Sequence, residues 1–329
     1  MRQPLVSVVI LNWNCRGFLG ACIESVLAQA YPVIDLLLVD NASTDGSVQW
    51  LADTYPQLAV VVNDENVGFA RAHNQAIRLT RGDYYLPLNP DVVLTPGFVG
   101  EMVAALEEHP EAGSATGKVY FSMRSGSSQD VRIYTTGHLL TKNRRPSNRG
   151  YKRKDTGQFD TPGYVFGANG ACPLLRREML DDVAFEGEFF DEMFFLYGDD
   201  YDLGWRAQLL GWRCLYVPTA VAYHHGKGSR GLYDPYIQYQ YARNNYLVTY
   251  KNDLLGHFLA DLPYILLYEV LWQAYILLTD PRRELSHARA IVDFLRLLPE
   301  ARRRRRALQS RRRVTAKYMR SLFTGMVFR

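Results

Sequence analysis

Four short apolar segments, each followed within three residues by asparagine or aspartate, constrain the fold of this chain more than any other feature. They are residues 5–11, 36–39, 59–62 and 83–86. Apolar residues at helical spacing lie between them and predict helices. This alternation predicts a parallel sheet with helices on both faces. The polar strand ends would then meet at one edge of the sheet, where open α/β sheets bind their ligands.

The overall composition is that of a globular protein with a sizeable core. Of the 329 residues, 47% are hydrophobic and 13% are aromatic, which excludes global disorder. The four cysteines (Cys15, Cys22, Cys172 and Cys214) are scattered. This pattern argues against a zinc site or a disulfide framework and favours a reducing compartment. The apolar run at 6–11 is too short for a signal-peptide core, so we expect cytoplasmic residence.

The charge is distributed very unevenly along the chain. From residue 281 onward there are 15 basic and 3 acidic side chains, whereas residues 1–280 have 23 basic and 31 acidic ones. An arginine-rich tail of this kind is typical of contact with an anionic membrane or a nucleic acid. A solvated terminus is the alternative. Since nucleic-acid binding would require basic residues across the whole body, we expect no nucleic-acid partner.

Residues 254–278 are strongly apolar but contain His257, Asp261, Glu269 and Gln273. Carboxylates at mid-span are costly in a bilayer, so the segment predicts a packed or interfacial helix rather than a membrane span. We therefore divide the chain into a body, residues 1–250, and an amphipathic, basic helical region, residues 251–329. The latter is expected to lie on the inner face of the cell membrane. Residues 122–163 are polar and turn-rich, which predicts a long mobile loop within the body.

Three polar clusters carry candidate chemistry. Asn89 and Asp91 follow the fourth strand and offer oxygen ligands for a cation that carries a diphosphate, although Asn, Pro and Asp also form ordinary turns. Residues 199–202 place three carboxylates at the start of a predicted helix, where capping would explain one of them. His224 and His225 end a later strand and precede Lys227 and Ser229.

In order and content, these motifs resemble the family 2 glycosyltransferases, in particular bacterial rhamnosyltransferase-like members. The resemblance covers about residues 4–250. The motifs are residues 6–14 (VSVVILNWN), 39–47 (VDNASTDGS), 66–74 (NVGFARAHN), 88–91 (LNPD), 167–170 (GANG), 176–178 (RRE), 197–203 (YGDDYDL), and His224 with Ser229. Each motif alone is only weakly specific for this family. The shared order of all the motifs is highly specific for it.

The resemblance implies a GT-A fold, a Rossmann-like and mostly parallel sheet flanked by helices, here with a basic helical extension. It also implies inverting transfer from a nucleotide-diphosphate sugar. Asp40 resembles the acid that binds the pyrimidine base, and Asn66, Gly68 and Asn74 match the segment along the nucleotide and sugar. The full donor-binding set predicted from these motifs is Asn12, Asn14, Asp40, Asn41, Ser43, Asn66, Gly68, Phe69, Asn74 and Asn89.

The resemblance also assigns the chemistry. Asp200 matches the catalytic base of the family's Glu-Asp pair, with Asp199 in place of the glutamate. Asp91 is expected to bind Mn²⁺ or Mg²⁺, because residues 89–91 occupy the position of the metal motif. His224 matches the histidine that completes this site, with His225 as its alternative. A sugar hydroxyl is a poor nucleophile at neutral pH, so such chemistry needs a positioned base.

Other functions remain open from the residues alone. A sugar nucleotidyltransferase would share the parallel sheet and the metal, but would be expected to have a phosphate loop rich in glycine and lysine, and residues 12–17 do not form one. A binding module that uses the basic tail is a further alternative. By resemblance, the expected donor is dTDP-rhamnose or a UDP-hexose, and the expected acceptor is a lipid-linked glycan or a polysaccharide.

Overall fold

The computed structural model describes residues 2–122, 131–226, 234–279 and 282–326. The first part contains β1 (Val6–Asn12), α1 (Arg16–Leu27), β2 (Ile34–Asp40), α2 (Ser47–Thr54), β3 (Ala59–Val62), α3 (Phe69–Leu79), β4 (Tyr84–Leu88), β5 (Val92–Leu94), α4 (Phe98–Glu108) and β6 (Ala112–Phe121). The middle part contains β7 (Ile133–Thr135), β8 (His138–Thr141), β9 (Ser147–Asn148), β10 (Gly163–Val165), β11 (Leu174–Arg176), α5 (Arg177–Val183), α6 (Asp199–Leu209) and β12 (Arg213–His224). The last part contains α7 (Pro235–Asn252), α8 (Leu255–Thr279), α9 (Arg282–Ser310), α10 (Ala316–Ser321) and β13 (Phe323–Thr324).

The central sheet is mostly parallel, as the sequence predicts. Strand β1 lies parallel to β2 and β4, and β2 lies parallel to β3. The main path of the sheet is β10-β12-β6-β11-β4-β1-β2-β3, in which β11 is antiparallel to both of its neighbours. β1 and β4 are almost completely buried. Their nearly continuous apolar sequences are typical of strands covered by helices on both faces.

Two apolar clusters cover the two faces of the sheet. Val8 and Ile10 of β1 belong to one cluster, and Val9 between them belongs to the other. Since successive residues of a strand point to opposite faces, this alternation assigns the clusters to opposite sides. The first is completed by helices α1 and α4, and the second by α3, α5 and α6.

Strand β12 contains a bulge. β12 is continuous, but its pairing with β6 passes from Val217 opposite Gly117 directly to Val221 opposite Lys118. The bulged residues between them include Pro218, which has no N–H for a ladder hydrogen bond. The bulge therefore interrupts the pairing without ending the strand. The strand ends at His224, beside β5.

The polar segment predicted as a mobile loop carries secondary structure in its described part, residues 131–163. β7 joins the main sheet, and β8 forms a second sheet with β9 and β13. Arg144 is almost fully buried and forms ion pairs with Asp253 and Asp261 at 2.8 and 2.7 Å. Much of the polarity that predicted a loop thus belongs to buried interactions.

The C-terminal helices are part of the second core. Ala301 and Leu308 of α9 and Met319 of α10 are buried in the same cluster as α6. The boundary predicted at residue 250 falls inside α7, so we expect residues 1–250 to lose part of their core when isolated. α8 was predicted as a packed or interfacial helix. Within the described ranges, no helix has both the length and the apolar content needed to cross a bilayer.

Several tail arginines bind the acidic body. Arg304 lies 2.7 Å from Glu188, and both Arg311 and Arg313 form ion pairs with Asp182. The uneven charge of the sequence therefore reflects, in part, attraction between two regions of one molecule. The alternative prediction, a solvated terminus, does not hold for these three arginines.

Candidate active site

The carboxyl ends of β1 and β2 share a hydrogen-bond network. Asn12 is opposite Asp40 in the strand register, and its Nδ2 donates to Asp40 Oδ2 at 2.7 Å. The other oxygen of Asp40 accepts from the N–H of Ser43 at 2.8 Å. The N–H of Asn14 donates to Ser43 Oγ at 2.9 Å. Asp40 is fully buried. The network therefore joins the ends of β1 and β2 inside the protein rather than at its surface.

A second network joins the end of β2 to the start of α3. Asn41 Nδ2 donates to the oxygens of Asn66 and Gly68, each at 3.3 Å. Gly68 has a φ of +83°, and a Cβ there would lie 2.6 Å from the carbonyl oxygen of Phe195. Phe69 donates its N–H to the same oxygen at 2.9 Å. Only glycine permits both the positive φ and this close approach of segment 195–197.

A cleft of about 420 Å³ opens beside these networks. This volume is within the usual range for small-molecule sites. The predicted site residues that line it are Asn41, Asn66, Gly68, Phe69, Asn89 and Asp91. The other walls are supplied by Leu11, Trp13, Cys15, Pro90, Phe195, Leu196, Tyr197, Tyr236 and Ile237. Asn12, Asn14, Asp40 and Ser43 do not line it, and we expect them to support it.

Asn74 also lies behind the cleft. It is fully buried and donates Nδ2 to the carbonyl oxygen of Phe190 at 2.8 Å and to Glu192 at 3.0 Å. Its Oδ1 accepts from the N–H groups of Phe189 and Phe190. These bonds fasten α3 to segment 189–192. We therefore expect Asn74 to shape the cleft rather than to contact a donor.

Asp91 and His224 form a buried pair. The pairing of β5 with β12 places His224 opposite Val92, and its Nε2 lies 3.0 Å from Asp91 Oδ1. Burial alone would raise the pKa of Asp91, but the hydrogen bond and charge of His224 outweigh it and hold that pKa below its usual value. His225 points elsewhere, with Nδ1 2.9 Å from Ser122 Oγ.

Two polar atoms of the Asp91–His224 pair make no hydrogen bond with the described residues. Asp91 Oδ2 and His224 Nδ1 are buried without a hydrogen-bond partner in the described part of the chain. Buried polar atoms are rarely unsatisfied in folded proteins, so these two suit a bound group. Of the other residues predicted near this site, Lys227 and Ser229 lie outside the described residues.

The two aspartates at the start of α6 have different surroundings. Asp200 accepts hydrogen bonds from the N–H groups of Gly170 and Tyr201, both at 2.8 Å, and His138 Nε2 lies 3.4 Å from its Oδ2. Asp199 is buried. Burial first, and then the charge of Asp200, raise the pKa of Asp199 well above its usual value. We therefore expect Asp199 to stay protonated at pH values where an ordinary aspartate is ionised.

This assignment predicts how stability responds to pH. Because the pKa of Asp199 is higher in the folded state than in the unfolded chain, folding binds a proton there, and stability falls as pH rises above about 4. The loss continues at about 1.4 kcal/mol per pH unit until the folded-state pKa is reached. Asp199→Asn should therefore gain stability relative to the wild type between pH 4 and 7. Urea unfolding at several pH values measures this difference.

The matched control is Asp181→Asn, since Asp181 lies on a short helix with an exposed side chain. Its stability should follow the wild-type pH curve. If Asp199→Asn also followed that curve, the raised pKa of Asp199 would be refuted.

Comparison with known proteins decides the family. Residues 7–184 match the model described as "Glycosyl transferase family 2". The chain is also 31% identical over 247 residues to a Mycobacterium tuberculosis protein named N-acetylglucosaminyl-diphospho-decaprenol L-rhamnosyltransferase, covering 69% of this chain and 78% of that one. The chain belongs to glycosyl transferase family 2. This membership confirms the sequence-based identification and excludes the nucleotidyltransferase alternative.

Other relatives of this glycosyltransferase agree. It is 27% identical over 238 residues to the O-antigen biosynthesis protein RfbC of Myxococcus xanthus, covering 69% of this chain but 18% of that protein. Among solved structures, S. aureus TarS has a TM-score of 0.58 at 17% identity, over 92% of this chain and 50% of that one. A Pyrobaculum calidifontis mannosyltransferase in complex with GDP-Man and Mn²⁺ has a TM-score of 0.53 at 17% identity, over 98% and 84%. The GT-A fold is confirmed.

Two further residues near the site of this glycosyltransferase come from the segment that was predicted to be a loop. Tyr134 packs edge-on against His224, with ring centroids 4.3 Å apart. Burial, and then the charges of Asp200 and Asp91, raise the pKa of the Tyr134 hydroxyl. Tyr134 thus contacts the Asp91–His224 pair through His224. His138, beside Asp200, is the second residue that this segment contributes. The β-favouring residues around both could have predicted strands here, but the polar runs on either side concealed that signal.

Proposed function

We propose that this glycosyltransferase moves a sugar, with inversion, from a nucleotide-diphosphate sugar to a lipid-linked or polysaccharide acceptor. The observation that supports this most is the arrangement around Tyr134. Tyr134 packs against His224 of a buried Asp–His pair that has two unsatisfied atoms. The Tyr134 hydroxyl is also within electrostatic range of Asp200, a carboxylate held by two N–H groups. Inverting transfer requires a base on the face opposite the leaving group, so two separated groups of these types suit it.

In this proposal Asp200 is the general base. Two backbone N–H groups hold its carboxylate in one orientation, while the side chain stays partly exposed. Asp200 would accept the proton of the acceptor hydroxyl as the new glycosidic bond forms. The bond from the sugar to the diphosphate breaks at the same time, and the diphosphate leaves with the bonding electrons.

We propose that Asp91 and His224 hold Mn²⁺ or Mg²⁺. Carboxylate and imidazole are ligands that Mn²⁺ accepts, whereas Mg²⁺ prefers oxygen. Among the described residues there is no group of three or more His, Cys, Asp or Glu side chains that could hold a metal, so the donor's phosphate oxygens would supply further ligands. When bound, the cation would stabilise the negative charge on the departing diphosphate.

Asp91→Ala should weaken metal-dependent donor binding by at least about tenfold to a hundredfold, because residues that merely orient a metal ligand already contribute that much. Thermal shifts measured with dTDP-, UDP- and GDP-sugars, with and without Mn²⁺ or Mg²⁺, test this, because a ligand that binds the folded state raises its stability. The wild type should be stabilised by one sugar nucleotide and more strongly with the metal. A variant with wild-type shifts under every condition would contradict the role of Asp91.

The relatives suggest the substrates. The Mycobacterium tuberculosis protein is named for rhamnosyl transfer to a decaprenol-linked N-acetylglucosamine diphosphate. We propose dTDP-rhamnose as the first donor to test, followed by UDP-hexoses, and a lipid-linked glycan as the first acceptor.

We also propose peripheral contact with an anionic membrane through α8 and the first half of α9. Val270 and Leu278 of α8 and Leu285 of α9 are among the most exposed apolar side chains in the described ranges. Arg289 and Arg296 in the first half of α9 are also exposed, and each forms an ion pair with Asp293. Apolar surface with exposed arginines suits the interface of an anionic bilayer.

Val270→Glu should therefore reduce sedimentation of the full chain with phosphatidylglycerol vesicles by about fivefold or more, since a charge would enter the apolar contact. Leu27→Glu is the matched control, because Leu27 is 56% exposed and Val270 is 65% exposed, but Leu27 lies on α1. Equal binding by the two variants would exclude α8 as the contact surface.

A further inference from the structure

A second cavity, of about 490 Å³, lies between α7, α8 and α9. It shares no described lining residue with the cleft, but α7 contributes to both. Tyr236 and Ile237 in the first turn of α7 line the cleft, whereas Asn245 and Thr249 line the second cavity. At a rise of 1.5 Å per residue, Ile237 and Asn245 are about 12 Å apart along the helix. We call this second space the α7 cavity.

The walls of the α7 cavity are largely apolar and aromatic. They include Tyr246 and Tyr250 of α7, Leu255, Phe258 and Ile265 of α8, and Phe294 of α9. Such walls favour a ligand that gains from leaving water, because apolar surface buried there is removed from solvent. The volume is within the range of small-molecule sites.

Three polar atoms of buried side chains also belong to this cavity. Arg144 Nη2, Asn245 Oδ1 and Asp253 Oδ1 have no hydrogen-bond partner among the described residues. All three side chains are more than nine-tenths buried. Since buried polar groups in folded proteins are nearly always hydrogen-bonded, these atoms indicate a place for a polar group. Two further charged residues line the cavity but are already paired: Glu269 with Arg145, and Arg305 with the carbonyl oxygens of Tyr250 and Asp253. The apolar walls suit hydrocarbon, so the combination fits an amphiphile.

The cavity reaches the apolar surface of α8. Leu255 lines the cavity and is 64% exposed. Leu259, Leu266 and Val270 extend this exposed apolar surface along the same helix. Large apolar patches on a soluble domain mark sites that contact proteins, membranes or other ligands. A hydrocarbon chain thus has an apolar route to the cavity, whereas a strongly hydrated ligand would have to cross apolar surface.

We propose that the α7 cavity binds the hydrocarbon chain of the lipid-linked acceptor, with the junction between chain and polar head at Arg144, Asn245 and Asp253. The identity of this lipid as the acceptor rests on the proposed function. The existence of a chain-binding site rests on the cavity itself. Because α7 also lines the cleft, the same helix would hold the acceptor chain and border the donor.

The first experiment measures chain binding without catalysis. The full chain is titrated calorimetrically with dodecyl phosphate and dodecyl maltoside below their critical micelle concentrations. Inorganic phosphate and maltose are the probes without a chain. The wild type should bind both dodecyl compounds. Ile265→Trp, which fills the cavity, should weaken this binding by about tenfold, as expected from the loss of burial for two methylene groups.

Leu266→Trp is the matched control, since Leu266 is the neighbouring residue, is 54% exposed and does not line the cavity. It should bind both compounds within about twofold of the wild type, because it removes no cavity space. No binding by the wild type, or equal weakening by the two variants, would overturn the site. If Ile265→Trp has a lowered thermal midpoint, Thr249→Phe fills the cavity from α7 and must show the same loss.

The second experiment identifies the source of the chain. Transfer to an N-acetylglucosamine diphosphate that carries a long isoprenoid chain is compared with transfer to one that carries a methyl group. Ile265→Trp should raise KM for the long-chain acceptor and leave both kinetic constants for the short one unchanged. If KM is unaffected although dodecyl binding is lost, the cavity holds a bilayer lipid and the acceptor assignment is wrong. If no sugar is transferred by the wild type but dodecyl binding follows the expected pattern, the proposed function fails and the chain-binding site stands.

Discussion

Asp200→Asn is expected to lower kcat by about a hundredfold to ten-thousandfold, the usual contribution of a positioned general base. The amide preserves the size of the side chain, and its oxygen can still accept from one of the two N–H groups that Asp200 binds now. The amide cannot, however, take the proton of the acceptor hydroxyl as a carboxylate does. Donor binding should change little, because Asp200 does not line the cleft that contains Asn41, Asn66 and Asp91.

The measurement is the initial rate of sugar transfer, with the donor that gives the largest thermal shift, together with the affinity for that donor. Asp35→Asn is the matched control, since Asp35 is an exposed carboxylate near the opposite end of β2. The control should keep wild-type kcat and donor affinity. A wild-type turnover number for Asp200→Asn would refute its role as base. A large loss of donor affinity would instead indicate a binding role.

Lys251→Met is expected to lower the free energy of unfolding by about 3 kcal/mol, the lower end of the usual cost of breaking a buried ion pair. Lys251 is almost fully buried between two carboxylates. Its Nζ lies 2.9 Å from Asp202 Oδ1 and also contacts Asp191. The loss should stay near the lower limit, because Arg206 remains paired with Asp202 at 2.8 Å and Arg304 with Asp191 at 3.1 Å.

Urea unfolding at pH 7 measures this loss, and Lys317→Met serves as the control because Lys317 is exposed on α10. The control should unfold within about 0.5 kcal/mol of the wild type, as surface substitutions usually do. Equal unfolding midpoints for the two variants would show that the buried cluster contributes little. Since Asp202 lies on α6 two residues after Asp200, we also expect Lys251→Met to reduce the order of the α6 start.

The elements of the first 88 residues were predicted closely because their information is local. Continuous apolar runs specify buried strands, and residues at helical spacing specify the helices between them. The order of elements then selects a parallel sheet, and parallel strands bring their carboxyl ends to one edge. The proximity of Asn12 to Asp40 follows from these facts without any knowledge of distant residues.

Distant pairings could not be predicted in the same way. His224 meets Asp91 because β12 pairs with β5 across 133 positions of sequence, and only the resemblance to a family suggested that contact. His138 of β8 lies beside Asp200, although the composition predicted a loop over residues 122–163. No local pattern distinguishes a polar residue that is solvated from one that binds a buried partner.

By itself, the sequence determined the α/β architecture, the edge of the sheet that carries the site, and the acidic and histidine residues available there. The tertiary structure decided which of them meet: His224 rather than His225 beside Asp91, Asp40 and Asn74 behind the cleft, and the tail arginines against the acidic body. The reason is physical. Periodicity and turn chemistry act between near neighbours in sequence, whereas burial and ion pairing depend on chain segments that folding brings together.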